Sequence, residues 1–206
     1  MKKFVFDFGG VLFRWRPEVL LQREVPHLAT DEASARHWVR EIFQAYGGDW
    51  GEFDRGTVLA PDLVQRIARR TGLAGTDVQR VVDGAPNELT PIAESVALLG
   101  ALRDAGAPLY FLSNMPEPFA AHLERENPFV GWFADGIFSA RVQHIKPEPA
   151  IFELAATRFG ADPSELVFLD DHAPNVEMAR SLGWHAVQFR DAAQAREELK
   201  AGGWLR

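Results

Sequence analysis

Apolar positions along the chain fall into two rhythms. Short unbroken runs occur at 3–7 (KFVFD), 109–113 (LYFLS), 166–170 (LVFLD) and 185–189 (HAVQF), with a weaker one at 136–139 (GIFS). Their length and their Val, Leu and Phe content predict buried strands. Between them, apolar residues recur at helical spacing. Residues 92–105 stop at Gly106, 149–159 stop at Gly160, and 174–182 open on a proline and stop at Gly183. Proline at the start and glycine past the end are common helix boundaries. Strands alternating with helices predict an α/β fold, a doubly wound and mostly parallel sheet covered on both faces.

Residues 15–90 break the alternation. Their spacing predicts helices over 17–28, 31–46, 61–71 and 76–83, with GGDWGEFDRGT at 47–57 as a glycine-rich loop. The expected organisation is a core of residues 1–14 and 91–206 with a helical cap, 15–90, inserted into it.

Composition narrows this picture modestly. A chain of 206 residues, 47% hydrophobic and 25% charged, suits one soluble globular domain with an insertion. No apolar run is long enough to span a bilayer. The apolar N-terminal run is interrupted at Asp7, which argues against a secretory leader. The absence of cysteine excludes disulfides and thiolate metal sites and fits a cytoplasmic location. The net charge of −7 argues against nucleic acid or an anionic membrane as partner. An anionic substrate would need a local cation. A monomer or homodimer is expected.

Candidate chemistry emerges from where the strands end. In an open parallel sheet, ligands bind beyond the carboxyl ends of the strands. The first strand ends at Asp7, the LYFLS strand at Ser113 with Asn114 next, and the LVFLD strand at Asp170 with Asp171 next. If these strands are neighbours, three carboxylates, a hydroxyl and an amide converge. Clustered carboxylates raise one another's pKa values. A hard cation relieves this, and Mg²⁺ suits oxygen ligands and phosphate. In HIKPEPAIF, Lys146 stands before a proline and ahead of a helix, so extended geometry aims it from a fixed position. Each residue alone has an ordinary reading. Asp7 suits a turn, Ser113 and Asn114 suit a cap for a helix near Pro118, and the acid pair suits a cap for the helix from Pro174. A lone lysine is usually solvated. The joint order of the four elements is what points to a site.

FVFDFGGVL, FLSN, IKPEP and FLDDHAPNV together resemble the haloacid dehalogenase superfamily over nearly the whole chain. The likeness is to its phosphatase-like branch with a small helical cap, and is similar to sugar-phosphate phosphatases of the α-D-glucose-1-phosphate type. The resemblance implies a Rossmann-like core and hydrolysis of a small phosphorylated metabolite. It implies that Asp7 is the nucleophile and forms an aspartyl-phosphate, that Ser113 and Asn114 bind the phosphoryl group, and that Lys146 neutralises its charge. It further implies Mg²⁺ held by Asp7, the carbonyl of Gly9 and Asp171, with Asp170 either a ligand or the partner of Lys146.

The first motif departs from the usual Asp-x-Asp. The second acid, which protonates the leaving alcohol, is replaced by Gly9. Such general acid–base catalysis typically contributes ~10²–10⁴-fold. His172, Asp54 and Glu52 are candidates to replace it, although each also reads as a surface or capping residue. Arg14 stands where many relatives carry an acid; it suits binding of an anionic substrate. Three alternatives compete. A 2-haloacid dehalogenase also lacks the second acid, but the acid pair argues against it. A phospho-ligand or protein-binding relative without turnover would keep the same residues. A receiver domain carries similar groups in a different order. Trp15, Trp38 and Trp50 read as cap packing, and the loop around Trp50, Phe53 and Asp54 as the place where substrates are selected.

Overall fold

The computed structural model describes residues 2–205. Its single sheet has five strands: β1 Lys3–Phe6, β2 Leu109–Ser113, β3 Asp135–Phe138, β4 Leu166–Asp170 and β5 His185–Gln188. Their order is β3-β2-β1-β4-β5, and every pairing is parallel. The chain starts in the middle, winds outward through β2 and β3, then returns to the other side of β1. That reversal opens a crevice at the carboxyl end of β1. Phe6 pairs with Phe111 on one side and Leu169 on the other, so the next residue, Asp7, emerges at the edge between β2 and β4.

Successive side chains on a strand point to opposite faces. Val5, Leu112, Ile137 and Phe168 enter one apolar cluster with Ile151, Phe152 and Trp184. Phe4, Phe6, Phe111 and Leu169 enter another with Leu98 and Leu99. Both faces are buried, which is why the strands read as unbroken apolar runs.

Among the described residues ten α-helices accompany the sheet. Five lie between β1 and the rest of the core: α1 Pro17–Glu24, α2 Glu32–Phe43, α3 Gly48–Arg55, α4 Ala60–Thr71 and α5 Gly75–Glu88. The others are α6 Ala93–Asp104, α7 Glu117–Glu126, α8 Pro149–Arg158, α9 Ala173–Ser181 and α10 Ala192–Ala201. The second cluster continues into α1–α5 through Leu20, Ile42, Trp50, Leu63 and Val78. Among the described residues no helix is long and apolar enough to cross a membrane.

The sequence expectations need correction in the inserted region. The stretch 47–57 is largely the helix α3, because its glycines bound the helix: Gly47 caps it in extended geometry and Gly56 ends it at φ 80°. The helix expected over 31–46 stops at Phe43, since Gln44, Ala45 and Tyr46 all adopt positive φ. The first inserted helix ends at Glu24 rather than 28. Val25 precedes Pro26 and is driven out of helical geometry. The helix expected over 76–83 runs on to Glu88. The periodic reading also missed α10.

Candidate active site

Four backbone ends deliver the candidate groups. Asp7 follows β1, and its N–H donates to Leu169 O on β4 (2.9 Å). Ser113 closes β2, and Asp170 closes β4 with Asp171 beyond it. Lys146 comes from the loop before α8. Its backbone is fixed by Asn114, whose side-chain oxygen accepts from Lys146 N (2.8 Å) and whose amide donates to Lys146 O (2.9 Å). The Asn114 side chain therefore positions the lysine.

Lys146 Nζ lies 3.0 Å from Asp7 Oδ2 and 2.6 Å from Asp170 Oδ2. All three residues are buried. Asp170 also accepts from His172 N (2.8 Å) and from Asn175 Nδ2 at 3.0 and 3.1 Å. These four contacts occupy about all the acceptor sites of a carboxylate. Asp170 is thus committed to pairing with Lys146. One oxygen each of Asp7, Asp170 and Asp171 nevertheless lies within 4.8 Å of the others.

Three carboxylates face one ammonium, leaving two negative charges uncompensated. Burial pushes the Asp7 carboxyl up to about 7; Lys146 opposes this, and Asp170 and Asp171 reinforce it. Asp171, although exposed at the cavity mouth, is likewise raised, by partial desolvation and then by Asp170. For Lys146, burial works to lower the pKa, but Asp170 and Asp7 outweigh it and the net direction is upward. The cluster has the charge and the oxygen donors that a hard dication requires, so its residues fit Mg²⁺.

The glycines of the first motif now have separate explanations. Gly10 sits at φ 73°, and a Cβ there would fall 2.3 Å from Asp171 Oδ2; glycine lets the acid pair approach the turn. Gly9 is different. The nearest atom to its Cβ position is Trp15 Cβ at 3.9 Å, an ordinary contact, so a Cβ meets no clash there. Sterics do not explain the missing acid.

Above these groups lies a cavity of about 380 Å³. Its polar end holds Asp7, Gly9, Ser113, Asn114, Lys146 and Asp171, joined by His172 and Asn175. Trp15, Tyr46, Trp50, Leu89, Met115, Phe119 and Ile145 make an apolar wall, with Asp54 among them. Trp15 Nε1 donates to Tyr46 Oη (2.7 Å), which satisfies the indole N–H and leaves the Tyr46 O–H free to donate. Ser113 Oγ is buried without a hydrogen-bond partner among the described residues. Unpaired buried hydroxyls are uncommon, and this one lies in the lining of a cavity.

Other expected residues fall elsewhere. Arg14 is exposed and outside the cavity lining; its N–H donates to Thr90 O (2.8 Å), fixing the exit from the turn. Glu52 is also outside, accepting from Thr57. Trp38 packs on His37, and Phe53 is buried between Trp50 and Phe119. Asn175 and Tyr46 were missed. Asn175 had a signal, lying five residues after Asp170 at the start of a helix. Tyr46 had none, because its place depends on a left-handed turn.

A buried carboxylate just past the central strand, a buried lysine bridging it to the first of two adjacent acids, and helices between β1 and β2 that line the crevice make up a site of Rossmann-like hydrolase form. Residues 1–183 match the model of the haloacid dehalogenase-like hydrolase family, and the chain belongs to that family. Among its relatives is the sesquiterpene phosphatase astK of Aspergillus oryzae, 28% identical over 200 residues, 97% of this chain and 95% of that protein. A haloacid dehalogenase family enzyme of Bacteroides thetaiotaomicron, solved with magnesium and inorganic phosphate, superposes with a TM-score of 0.72 at 23% identity, covering 91% of this chain and 93% of that one. The L-2-haloacid dehalogenase of Xanthobacter autotrophicus, with chloropropionic acid covalently bound, gives 0.68 at 19% identity, covering 100% and 85%.

Proposed function

We propose that the protein is a Mg²⁺-dependent phosphatase acting on phosphate monoesters of apolar alcohols. The observation that carries this is the charge imbalance at the sheet edge: Asp7, Asp170 and Asp171 crowd together with Lys146 as their one buried cation. A dication completes such a site, and haloacid hydrolysis would have no use for it. Asp7, Asp171 and the Gly9 carbonyl would hold the metal, with Asp170 kept for Lys146. When bound, Mg²⁺ supplies positive charge to the phosphoryl oxygens and depresses the Asp7 pKa.

Asp7 Oδ2 attacks phosphorus to give an aspartyl-phosphate, which water then hydrolyses. Asp7 Oδ1 is held by the N–H of Phe8 (2.7 Å), which fixes the carboxylate plane for attack. Lys146 offsets charge on the nucleophile and on the transferring group. Ser113 Oγ donates to a phosphoryl oxygen and so gains the partner it otherwise lacks. Positioning and charge stabilisation account for most of the catalysis in such transfers.

The apolar wall supports the substrate class. A sugar needs several polar partners, yet Asn114 is committed to Lys146, and apart from the Tyr46 hydroxyl and Asp54 the wall is apolar. Trp50, Met115, Phe119 and Ile145 suit a hydrocarbon. The whole-length likeness to a sesquiterpene phosphatase points the same way.

The test is a panel of p-nitrophenyl phosphate, farnesyl phosphate and glucose phosphates, with Mg²⁺ or chelator, alongside Asp7→Asn. Expected are Mg²⁺-dependent turnover, a loss of roughly 10³-fold or more in Asp7→Asn, and a higher kcat/KM for farnesyl than for glucose phosphates. Wild-type rates in Asp7→Asn, or chloride release from 2-chloropropionate in chelator, would refute the phosphatase reading. A preference for glucose phosphates would refute the substrate class.

A further inference from the structure

The first motif lacks its acid at Gly9, although a Cβ there would meet no clash. We propose that Asp54, carried on the inserted helix α3, is the proton donor to the leaving alcohol. This rests on the phosphatase reading above and deepens it.

Asp54 lies in the last turn of α3, is 5% exposed, and lines the cavity together with Asp7, Gly9 and Lys146. Its carboxyl makes no hydrogen bond or ion pair among the described residues. Burying an unpartnered carboxyl is costly, so packing alone gives no reason for an acid here.

The backbone around it is, by contrast, tied firmly to the core. Ser139 Oγ donates to Asp54 O (2.5 Å) and accepts from Met115 N (2.8 Å), two residues after Ser113. The Arg55 guanidinium forks onto Glu148 at 2.8 and 2.6 Å, two residues after Lys146. Gly56, at φ 80°, sits so close to Ala140 that a Cβ would fall 2.6 Å from its carbonyl oxygen. Three consecutive residues thus register Asp54 against the two loops that deliver Ser113 and Lys146.

The surroundings also favour the protonated form. Burial, then the charge of Asp7, holds the Asp54 carboxyl well above the usual carboxylate range, and Lys146 acts in the opposite sense. Tyr46 faces it from the turn before α3, and Asp171 and His172 share the cavity. The rivals are less suitable. Glu52 is outside the cavity and bonded to Thr57, and His172 is exposed at the start of α9.

The proton balance closes over two steps. As Asp7 Oδ2 bonds to phosphorus and the bond from phosphorus to the ester oxygen breaks, the Asp54 proton passes to that oxygen and the alcohol leaves. Water then attacks the aspartyl-phosphate. Asp54 carboxylate takes its proton, the bond from phosphorus to Asp7 breaks, and inorganic phosphate departs with both carboxyl groups restored.

The experiment follows release of the first enzyme equivalent of alcohol, which isolates the first step. Asp54→Asn should slow an alkyl phosphate by about 10²- to 10⁴-fold, but p-nitrophenyl phosphate by less than about tenfold, because nitrophenolate leaves unprotonated. Gly9→Asp in the Asp54→Asn background should restore part of the alkyl phosphate rate. In the wild type, rates should depend only weakly on the basicity of the leaving alcohol. That last measurement stands even if the variant folds poorly. Equal losses on both substrates in a folded Asp54→Asn, a steep leaving-group dependence in the wild type, or transfer of the selective loss to His172→Ala would overturn the assignment. If the wild type with Mg²⁺ releases no nitrophenol, the phosphatase reading itself fails, whatever Asp54 does.

Discussion

At the scale of single residues, the site separates groups that hold the structure from groups kept free for a ligand. Asp170 spends its acceptors on Lys146, His172 and Asn175, and Asn114 spends its amide on the Lys146 backbone. Ser113 spends nothing; its hydroxyl is buried and unpaired. This difference gives a prediction with two readouts. Ser113→Ala removes a donor to the phosphoryl group and should lower kcat with p-nitrophenyl phosphate by about 10²-fold, the usual effect of losing one such donor. Removing an unpaired buried hydroxyl is close to neutral for folding. The melting temperature should therefore stay level or rise. A stability loss with activity kept would mean that Ser113 has a structural partner instead. Gly9 and Gly10 show the same division. One glycine is required by the approach of Asp171, and the other stands where a side chain has room.

At the scale of elements, the sequence was most legible where one local rule decides the outcome. The strands are buried on both faces, so their apolar runs were unambiguous, and their last residues named Asp7, Ser113 and Asp170 directly. Lys146 was legible through its proline. Helix α3 runs against the local pattern, in which its glycines read as a loop signal. Gly47 and Gly56 act as caps, and Gly51 lets the helix pack where a Cβ would fall 2.7 Å from Tyr46 O. That is a tertiary requirement, which no local pattern announces. The left-handed run Gln44–Tyr46 was hidden for the same reason, and with it the place of Tyr46 in the cavity wall. Asp54 was named among several candidate acids. Only long-range ties single it out: Ser139 onto its carbonyl, 85 residues away in sequence, and Glu148 onto its neighbour Arg55, 93 residues away.

At the scale of the whole molecule, an acidic chain of net charge −7 concentrates further negative charge in one crevice. Asp7 is raised from 3.8 to about 7, and Asp54 and Asp171 are raised too. Between those two pH values the folded, metal-free protein binds more protons than the unfolded chain. These groups therefore favour folding at low pH, and that contribution is lost as pH rises through about 7. Magnesium competes with the same protons. The rise in melting temperature on adding saturating Mg²⁺ should accordingly be small near pH 5 and grow through pH 7, a ligand at a hundred times its Kd adding about 2.7 kcal/mol. A shift independent of pH, no shift in the wild type, or a shift unaltered by Asp171→Asn would each contradict metal binding by this cluster.

The central claim is that Asp7 carries the phosphoryl group, and the most direct measurement is acid quench during turnover of p-nitrophenyl phosphate followed by peptide mass spectrometry. The phosphoryl group should appear on the peptide containing Asp7, only when Mg²⁺ is present, and should accumulate in Asp54→Asn, where hydrolysis of the intermediate is slowed. Turnover with no phosphorylated Asp7 peptide, or a phosphoryl group on another residue, would contradict it.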